Sequence, residues 1–229
     1  MKARDTILLI MSVTILLCIN NRMKATNKVL LTMSLILLCL YLIPTYTEPK
    51  VVKGLVTSDE IKHIKDSARV LFQQSTVGGG QKGQRVDKTV RDSQTAWLSL
   101  KDSVVRRVCE RCVSLTDRPL ANCEKLQVLK YKPGGYYKPH QDVIREKGSD
   151  ENRRMYTIIL ALNDDYEGGE TEFPILGKKY KLQKGDGLFF HTLNNYERVT
   201  VKALHGGTPV KSGEKWICNL WVHKYPYNS

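Results

Sequence analysis

The sequence predicts a mainly β domain, an antiparallel double-sheet jelly roll or barrel, with two helices on its outside and an apolar segment ahead of it. Three observations predict this. From Leu126 onward, short β-branched or aromatic segments succeed one another with no helical pattern between them. Pro-Gly-Gly, Asn-Asp-Asp and Lys-Gly-Asp-Gly turn signals separate those segments. Before Leu126 the apolar spacing is helical, and before Thr45 it is apolar on every face. The chain has 229 residues, enough for one such domain with a sizeable core and an appendage.

The appendage, residues 1–48, is a hydrophobic N-terminal region. It holds two apolar runs, Ile7 to Ile19 and Val29 to Ile43, joined by a polar and basic connector and ended by Pro44. A spanning helix needs about 20 apolar residues, and Val29 to Tyr46 comes nearest to that. Residues 29–46 are therefore expected to form a single-pass signal anchor, with a cleaved signal peptide or a short hairpin as the other readings. Lys24 and Lys28 stand just before it. Positive residues prefer the cytoplasmic side, which would place the following domain in the endoplasmic reticulum lumen or secretory pathway. The net charge is +13, and the excess after residue 50 is spread among many acids without an Arg-rich block; it suits a solvated basic surface, or attraction to nucleic acid, an anionic membrane face or an acidic peptide, of which nucleic acid is not the expected partner.

The domain at residues 49–229 opens on Thr57-Ser-Asp-Glu60, a capping box that starts a helix with Ile61, Ile64, Ala68 and Leu71 on its apolar face. Val77 to Lys88 carries four glycines and lacks a phosphate-loop pattern, which suits a mobile lid or surface loop. A second helix is expected from about Gln94 to Leu115, with Trp97, Leu100, Val104, Val108 and Cys112 as its core stripe. Cys109 and Cys112 have no second pair at zinc spacing, so they read as buried thiols, or as a partner for Cys123. Strands are expected at Leu126–Tyr131, Met155–Leu162, Lys179–Leu182, Gly187–His191, Val199–Leu204 and Lys215–His223.

Tyr136 to Asp142 carries the first chemical signal. His140 and Asp142 are two apart, so on a strand an imidazole and a carboxylate project from one face. They supply two of the three ligands of a 2-His-1-carboxylate iron site. His191 and His205 are both candidates for the third. His205 heads His-Gly-Gly-Thr-Pro-Val-Lys-Ser-Gly-Glu-Lys215, an arrangement that returns a permanent cation, Lys215, toward the metal.

These residues carry a family resemblance. Leu126-Gln-Val-Leu-Lys-Tyr131, Tyr137-Lys-Pro-His140-Gln-Asp142, Gly168-Gly-Glu-Thr171-Glu-Phe-Pro, Lys184-Gly-Asp-Gly-Leu-Phe-Phe190 and His205 through Lys215-Trp resemble the catalytic domain of the collagen-type prolyl 4-hydroxylases. The resemblance extends more loosely over the helices and Arg91-Asp-Ser-Gln-Thr. It implies a double-stranded β-helix core and an Fe(II)- and 2-oxoglutarate-dependent dioxygenase that uses O2 and L-ascorbate. The implied metal ligands are His140, Asp142 and His205. Lys215 would pair with the C5 carboxylate of 2-oxoglutarate, with Tyr131 and Thr171 lining that pocket. Tyr137 and Trp221 would flank the substrate proline, Arg154 would contact the peptide, and His191 would be a barrel histidine outside the metal site. The implied activity is 4-hydroxylation of peptidyl-proline in proline-rich or collagen-like sequences, coupled to decarboxylation of 2-oxoglutarate to succinate and CO2. The Gly-rich loop would close over the peptide. Relatives that demethylate nucleic acid or sense oxygen use Arg where Lys215 stands, which argues against both. Action on another peptide residue, or a non-catalytic membrane-anchored binding module, are the other functions considered. The shape is that of the short forms in plants, algae and large DNA viruses, so no obligate partner subunit is expected.

Overall fold

The computed structural model describes residues 12–13, 24–78, 84–143 and 151–227. It divides into two units, residues 1–45 and residues 46–229. Most of the first apolar run and the centre of the Gly-rich loop lie outside the described residues.

In the first unit, helix α1 spans Ala25–Tyr41, 17 residues. It starts before the expected anchor and stops five residues short of Tyr46, because Pro44 follows at once and cannot continue the ladder. At about 1.5 Å per residue it rises roughly 25 Å, under the ~30 Å of a bilayer core. No helix among the described residues is long and apolar enough to cross a membrane.

The second unit begins with α2 (Ser58–Arg69), whose capping box forms as its sequence predicts: Thr57 accepts from the Glu60 amide while Glu60 accepts from the Thr57 amide. Glu60 also receives a two-pronged contact from Arg111 of α3 (Ser103–Val113), and that contact holds its carboxyl down to about 2. The two helices are thereby clipped together at one end. Helix α3 is shorter than expected. Asp102 caps its start by accepting from the Val104 and Val105 amides, and Gln94–Leu98 is a strand. Its burial alternates, with Ala96 and Leu98 inside and Trp97 outside, so a period of two overrides the helical spacing read across it.

Among the described residues, fourteen strands follow in chain order: β1 (Lys50–Val52), β2 (Gln73–Gln74), β3 (Arg91–Asp92), β4 (Gln94–Leu98), β5 (Leu126–Tyr131), β6 (Tyr136–His140), β7 (Arg154–Ala161), β8 (Glu167–Gly168), β9 (Thr171–Phe173), β10 (Lys178–Tyr180), β11 (Gly187–His191), β12 (His205–Gly207), β13 (Val210–Ser212) and β14 (Lys215–His223). A seven-stranded sheet runs β1-β11-β7-β14-β5-β4-β2, a five-stranded sheet runs β10-β9-β12-β6-β3, and β13 pairs β8. The pairings are antiparallel. The expected strand at Val199–Leu204 is instead a short 3-10 turn, Val201–Ala203, where the Thr200 hydroxyl accepts from the Lys202 amide and competes with strand pairing.

Alternation on the large sheet builds two cores. Leu129, Tyr131, Ile159, Phe190 and Ile217 face the small sheet and meet its Phe173. Their neighbours Val128, Ile158, Leu160, Cys218 and Leu220 face the other way, onto Ile64, Val105 and Val108 of the helices. This sandwich of antiparallel sheets with helices on one outer face is the jelly-roll arrangement. Cys109, Cys112, Cys123 and Cys218 are all buried free thiols, so the pairing of Cys123 considered from the sequence does not form. Burial pushes Cys112 and Cys123 up to about 12, which makes them inert packing groups.

The small sheet requires glycine at Gly206. A Cβ there would stand 2.9 Å from the Tyr137 carbonyl oxygen and 3.0 Å from the Pro139 nitrogen, both immobile backbone atoms. Gly206→Ala is therefore expected to spread β12 from β6, cost roughly 1–3 kcal/mol in a denaturant titration and lower metal affinity. A wild-type midpoint with undiminished metal binding would contradict that packing.

Candidate active site

β6 and β12 lie side by side with His140 directly opposite His205. The chain leaves the sheet immediately after His140, so Asp142 sits past the strand end rather than on it. Two contacts draw Asp142 inward all the same. The Gln141 side chain donates to the Thr200 carbonyl, and the Thr157 hydroxyl on β7 donates to Asp142 Oδ2 at 2.7 Å. The result is a compact donor set. His140 Nε2 lies 3.5 Å from Asp142 Oδ1, His205 Nε2 lies 3.5 Å from Asp142 Oδ2, and one donor atom from each residue falls within 4.8 Å of the others. Among the described residues no other group of three or more His, Cys, Asp or Glu meets that condition.

The protonation of the set suits a cation. His140 Nδ1 lies 2.9 Å from the Lys138 carbonyl oxygen, and His205 Nδ1 lies 3.0 Å from that of Ala203. A carbonyl only accepts, so each Nδ1 carries a hydrogen and each Nε2 is the ring nitrogen that faces Asp142. Burial pushes His205 down to about 4, against the pull of Asp142, so its imidazole is neutral at ordinary pH. Burial works to raise the Asp142 carboxyl, but the surrounding His205, His140 and Arg154 outweigh it and hold the group well below the usual carboxylate range. The set thus joins two imidazole nitrogens and a carboxylate, with Asp142 and His205 buried and His140 partly so. That is the donor chemistry of a facial-triad metal site.

His191 points elsewhere. On β11 the inward position is Phe190, whose ring meets His205 edge-on at 4.7 Å, while His191 packs on Tyr156 and Phe189. Phe173 lies on another side of His205 at 5.5 Å, so two aromatic rings fix the orientation of that imidazole.

Behind the triad lies a second feature. Lys215, the first residue of β14, is opposite Tyr131 in register and only 4% exposed. Its ammonium lies 5.5 Å from the Tyr131 ring centroid and donates to the Gly169 carbonyl at 2.6 Å. Thr171 is buried on β9, paired with Gly207 of β12. No carboxylate of the described residues makes an ion pair with Lys215, and burial pushes it down to about 8. A buried ammonium held by one carbonyl is short of an anion. A dicarboxylic 2-oxo acid fits that deficit, with one end on the lysine and the other toward the metal.

On the outer side of the triad, the Tyr137 ring stacks on His140 with centroids 3.6 Å apart, and the Arg91 guanidinium covers Tyr137 at 4.7 Å. Arg91 bonds Ser93 through Nε, while its buried Nη2 has no partner among the described residues. Trp221 is buried, faces Thr157 in register and carries the Arg154 guanidinium 3.8 Å above its ring. Its Nε1 has no partner among the described residues. Arg154 is engaged by its own chain. It grips Glu124 in a bidentate pair, donates to the Asp142 carbonyl at 3.3 Å, and shares Glu124 with His223 Nε2 at 2.8 Å. Glu124 and Thr157 escape a reading of the sequence alone, since each is a single polar residue in an unremarkable stretch, while Arg91 lies in a segment of loose family resemblance that assigns it no role. The one local signal is Arg91-Asp-Ser93, where a strand directs a cation and a hydroxyl to the same face.

Comparison with known proteins agrees with this geometry. Residues 126–223 match the model of the 2OG-Fe(II) oxygenase superfamily. A protein of Acanthamoeba polyphaga mimivirus assigned as a prolyl 4-hydroxylase is 32% identical over 192 residues, covering 80% of this chain and 77% of its own length. The chain belongs to the prolyl 4-hydroxylase family. Its likeness to the rat prolyl 4-hydroxylase subunit alpha-1 is 31% over 188 residues, 78% of this chain but only 35% of that subunit. Among solved structures, the viral collagen prolyl hydroxylase of Paramecium bursaria Chlorella virus-1, determined as its 2-oxoglutarate complex, superposes with a TM-score of 0.63 and 27% identity. That match covers 78% of this chain and 97% of the viral one. The family model's match, residues 126–223, spans all three residues of the donor set and Lys215.

Proposed function

We propose that this chain is a prolyl 4-hydroxylase: it oxidises C4 of proline in proline-rich or collagen-like peptides and converts 2-oxoglutarate and O2 to succinate and CO2. The single observation that carries the reading is the joint presence of the clustered His140, Asp142 and His205 and a buried, anion-deficient Lys215. His140, Asp142 and His205 would hold Fe(II) through Nε2, a carboxylate oxygen and Nε2. Lys215 would bind the C5 carboxylate of 2-oxoglutarate between Tyr131 and Thr171. The bound iron supplies the oxidation of the co-substrate and of the peptide, and L-ascorbate keeps it reduced.

The rest is done by the protein's own groups. Thr157 fixes the Asp142 carboxylate so that its lone pairs face the two imidazoles. Phe173 and Phe190 exclude water from one side of His205, and Tyr137 shields His140. Arg91 Nη2 and Trp221 Nε1, buried and without partners among the described residues, would become donors to the carbonyls of an extended peptide once neighbouring side chains shift to admit it, and the Tyr137 ring suits a proline face. Arg154, placed by sequence on the peptide, serves better as the brace that holds Trp221 and Glu124 for such contacts. A polyproline II segment loses little entropy on docking against such a wall.

Incubation with Fe(II), 2-oxoglutarate, ascorbate and a panel of proline-containing peptides tests this, with mass spectrometry for one added oxygen and a succinate assay in parallel. Peptide oxidation matched by succinate is expected. His205→Ala should abolish both, whereas His191→Ala should retain metal binding and at least about a third of turnover, since surface changes away from a site cost little. Succinate formation with no proline peptide oxidised would move the chain to another substrate. For localisation, the exposed Val29, Leu30, Met33 and Leu37 of helix α1 suit attachment to a membrane surface, and Lys24 and Lys28 ahead of it are what would favour a catalytic unit in the secretory lumen. Release of the full chain from membranes by alkaline carbonate would oppose an integral anchor.

A further inference from the structure

Lys215 does not hold itself in place. Its stem and its ammonium both rest on the double-glycine turn between β8 and β9. Gly168 and Gly169 have φ of +66° and +65°, so two successive left-handed residues fold the chain back on itself. A Cβ on Gly169 would lie 3.0 Å from Cε2 of Tyr166 and 3.2 Å from Cδ of Lys215. The turn is thus wedged between the Tyr166 ring and the lysine stem, and its Gly169 carbonyl takes the Lys215 ammonium at 2.6 Å.

The other side of the same turn is pinned by a second lysine. Lys181, just beyond β10, donates from Nζ to the Tyr166 carbonyl at 2.7 Å and to the Gly168 carbonyl at 3.0 Å, with its ammonium 3.1 Å from the Tyr166 ring centroid. One cation therefore binds residues 166 and 168 from outside while another binds residue 169 from inside. The carbonyl that aims Lys215 belongs to a turn whose Tyr166 and Gly168 carbonyls are tied to Lys181.

We infer that Lys181 is a positioning residue for 2-oxoglutarate, acting through the Tyr166 to Gly169 turn to hold the Lys215 ammonium toward the bound carboxylate. The inference rests on the reading that Lys215 takes the C5 carboxylate. It goes beyond that reading in giving an exposed lysine, remote from the metal donors, control over affinity for the co-substrate. Its field adds a second effect. The charged groups that act on Lys215 are Lys181, which lowers it, and Glu170, which raises it, with the Tyr131 ring alongside. Removing the Lys181 charge should let Lys215 stay protonated to higher pH.

The test is calorimetric titration of 2-oxoglutarate into the Mn(II)-loaded full chain, which binds without turnover, across pH 7 to pH 9.5. Lys181→Met should weaken binding at pH 7 by about three- to tenfold, the size of one or two lost hydrogen bonds. The pH above which its affinity declines should also move upward relative to wild type. Lys181→Arg, which restores charge and donors, should return both quantities toward wild type, and a merely loosened loop would not shift the pH limb. Lys215→Ala is run in parallel. If it loses binding while Lys181→Met binds as wild type with the same pH limb, the inference fails. If Lys215→Ala itself binds normally, the assignment of Lys215 is what fails. Should Lys181→Met not fold, Lys181→Gln carries the same two expectations.

Discussion

Asp142→Ala is expected to leave the protein without stoichiometric Fe(II) and without detectable turnover. The carboxylate bridges both imidazoles, at 3.5 Å from each Nε2, and is only 7% exposed, so no water-filled route replaces it. Its loss removes the only carboxylate donor from the set and leaves the two imidazoles. Loss of an outer-sphere partner costs about 10- to 100-fold in metal affinity or activity. That is the range expected for Thr157→Val, which removes the 2.7 Å hydroxyl contact and spares the carboxylate. Removal of the ligand itself must exceed it. Metal content after desalting, read beside succinate release, separates the two variants. Equal iron retention by Asp142→Ala and wild type would exclude the triad as the metal site.

Lys215→Ala should weaken 2-oxoglutarate by roughly 30-fold to several thousand-fold, since truncating one partner of a buried charge pair costs about 2–5 kcal/mol. The metal should stay bound, because Lys215 is not among the donors. The pH dependence has a definite sign. Burial pushes the ammonium down to about 8 in the ligand-free protein. Below that pH it is charged and ready for a carboxylate. Above it a proton must be taken up on binding, so the dissociation constant should climb by about tenfold per pH unit. Stability runs the opposite way. With its folded value below the ordinary 10.5, Lys215 penalises the folded state at neutral pH, and that penalty fades as pH rises from about 8 toward 10.5. Lys215→Met is accordingly expected to raise the melting temperature of the ligand-free protein while abolishing tight co-substrate binding. A lower melting temperature at neutral pH would show that the buried ammonium is better satisfied than its single carbonyl suggests.

Much of this site is legible along the chain because its chemistry is written in short spacings. The His140 and Asp142 pair, and the Lys215 that follows His205 by ten residues, can be read without coordinates. So can the Thr57 to Glu60 capping box, whose partners are three residues apart. Where the reading failed, two periods competed over a short stretch. Trp97, Leu100, Val104 and Val108 satisfy a helical spacing, yet Gln94–Leu98 pairs with β5 because burial of Ala96 and Leu98 between neighbouring strands outweighs that spacing. At Val199–Leu204 β-branched residues suggested a strand, and a local side-chain contact from Thr200 decided otherwise.

What the sequence determined by itself is the inventory: which residues can ligate a metal, which cation can meet a carboxylate, and which faces alternate. The tertiary structure supplied the physical reason for the choice of His205 over His191, which the sequence supports only through Lys215 and the family resemblance. His205 rather than His191 joins His140 because strand parity turns Phe190 inward and His191 outward, and because β12 lies beside β6. Thr157, Glu124 and Arg91 gain their roles from strands that are distant in sequence. The reason is physical. Hydrogen bonding across a sheet and enclosure within a core depend on through-space neighbours, which local spacing does not encode, whereas the chemistry of each side chain is fixed by its covalent structure.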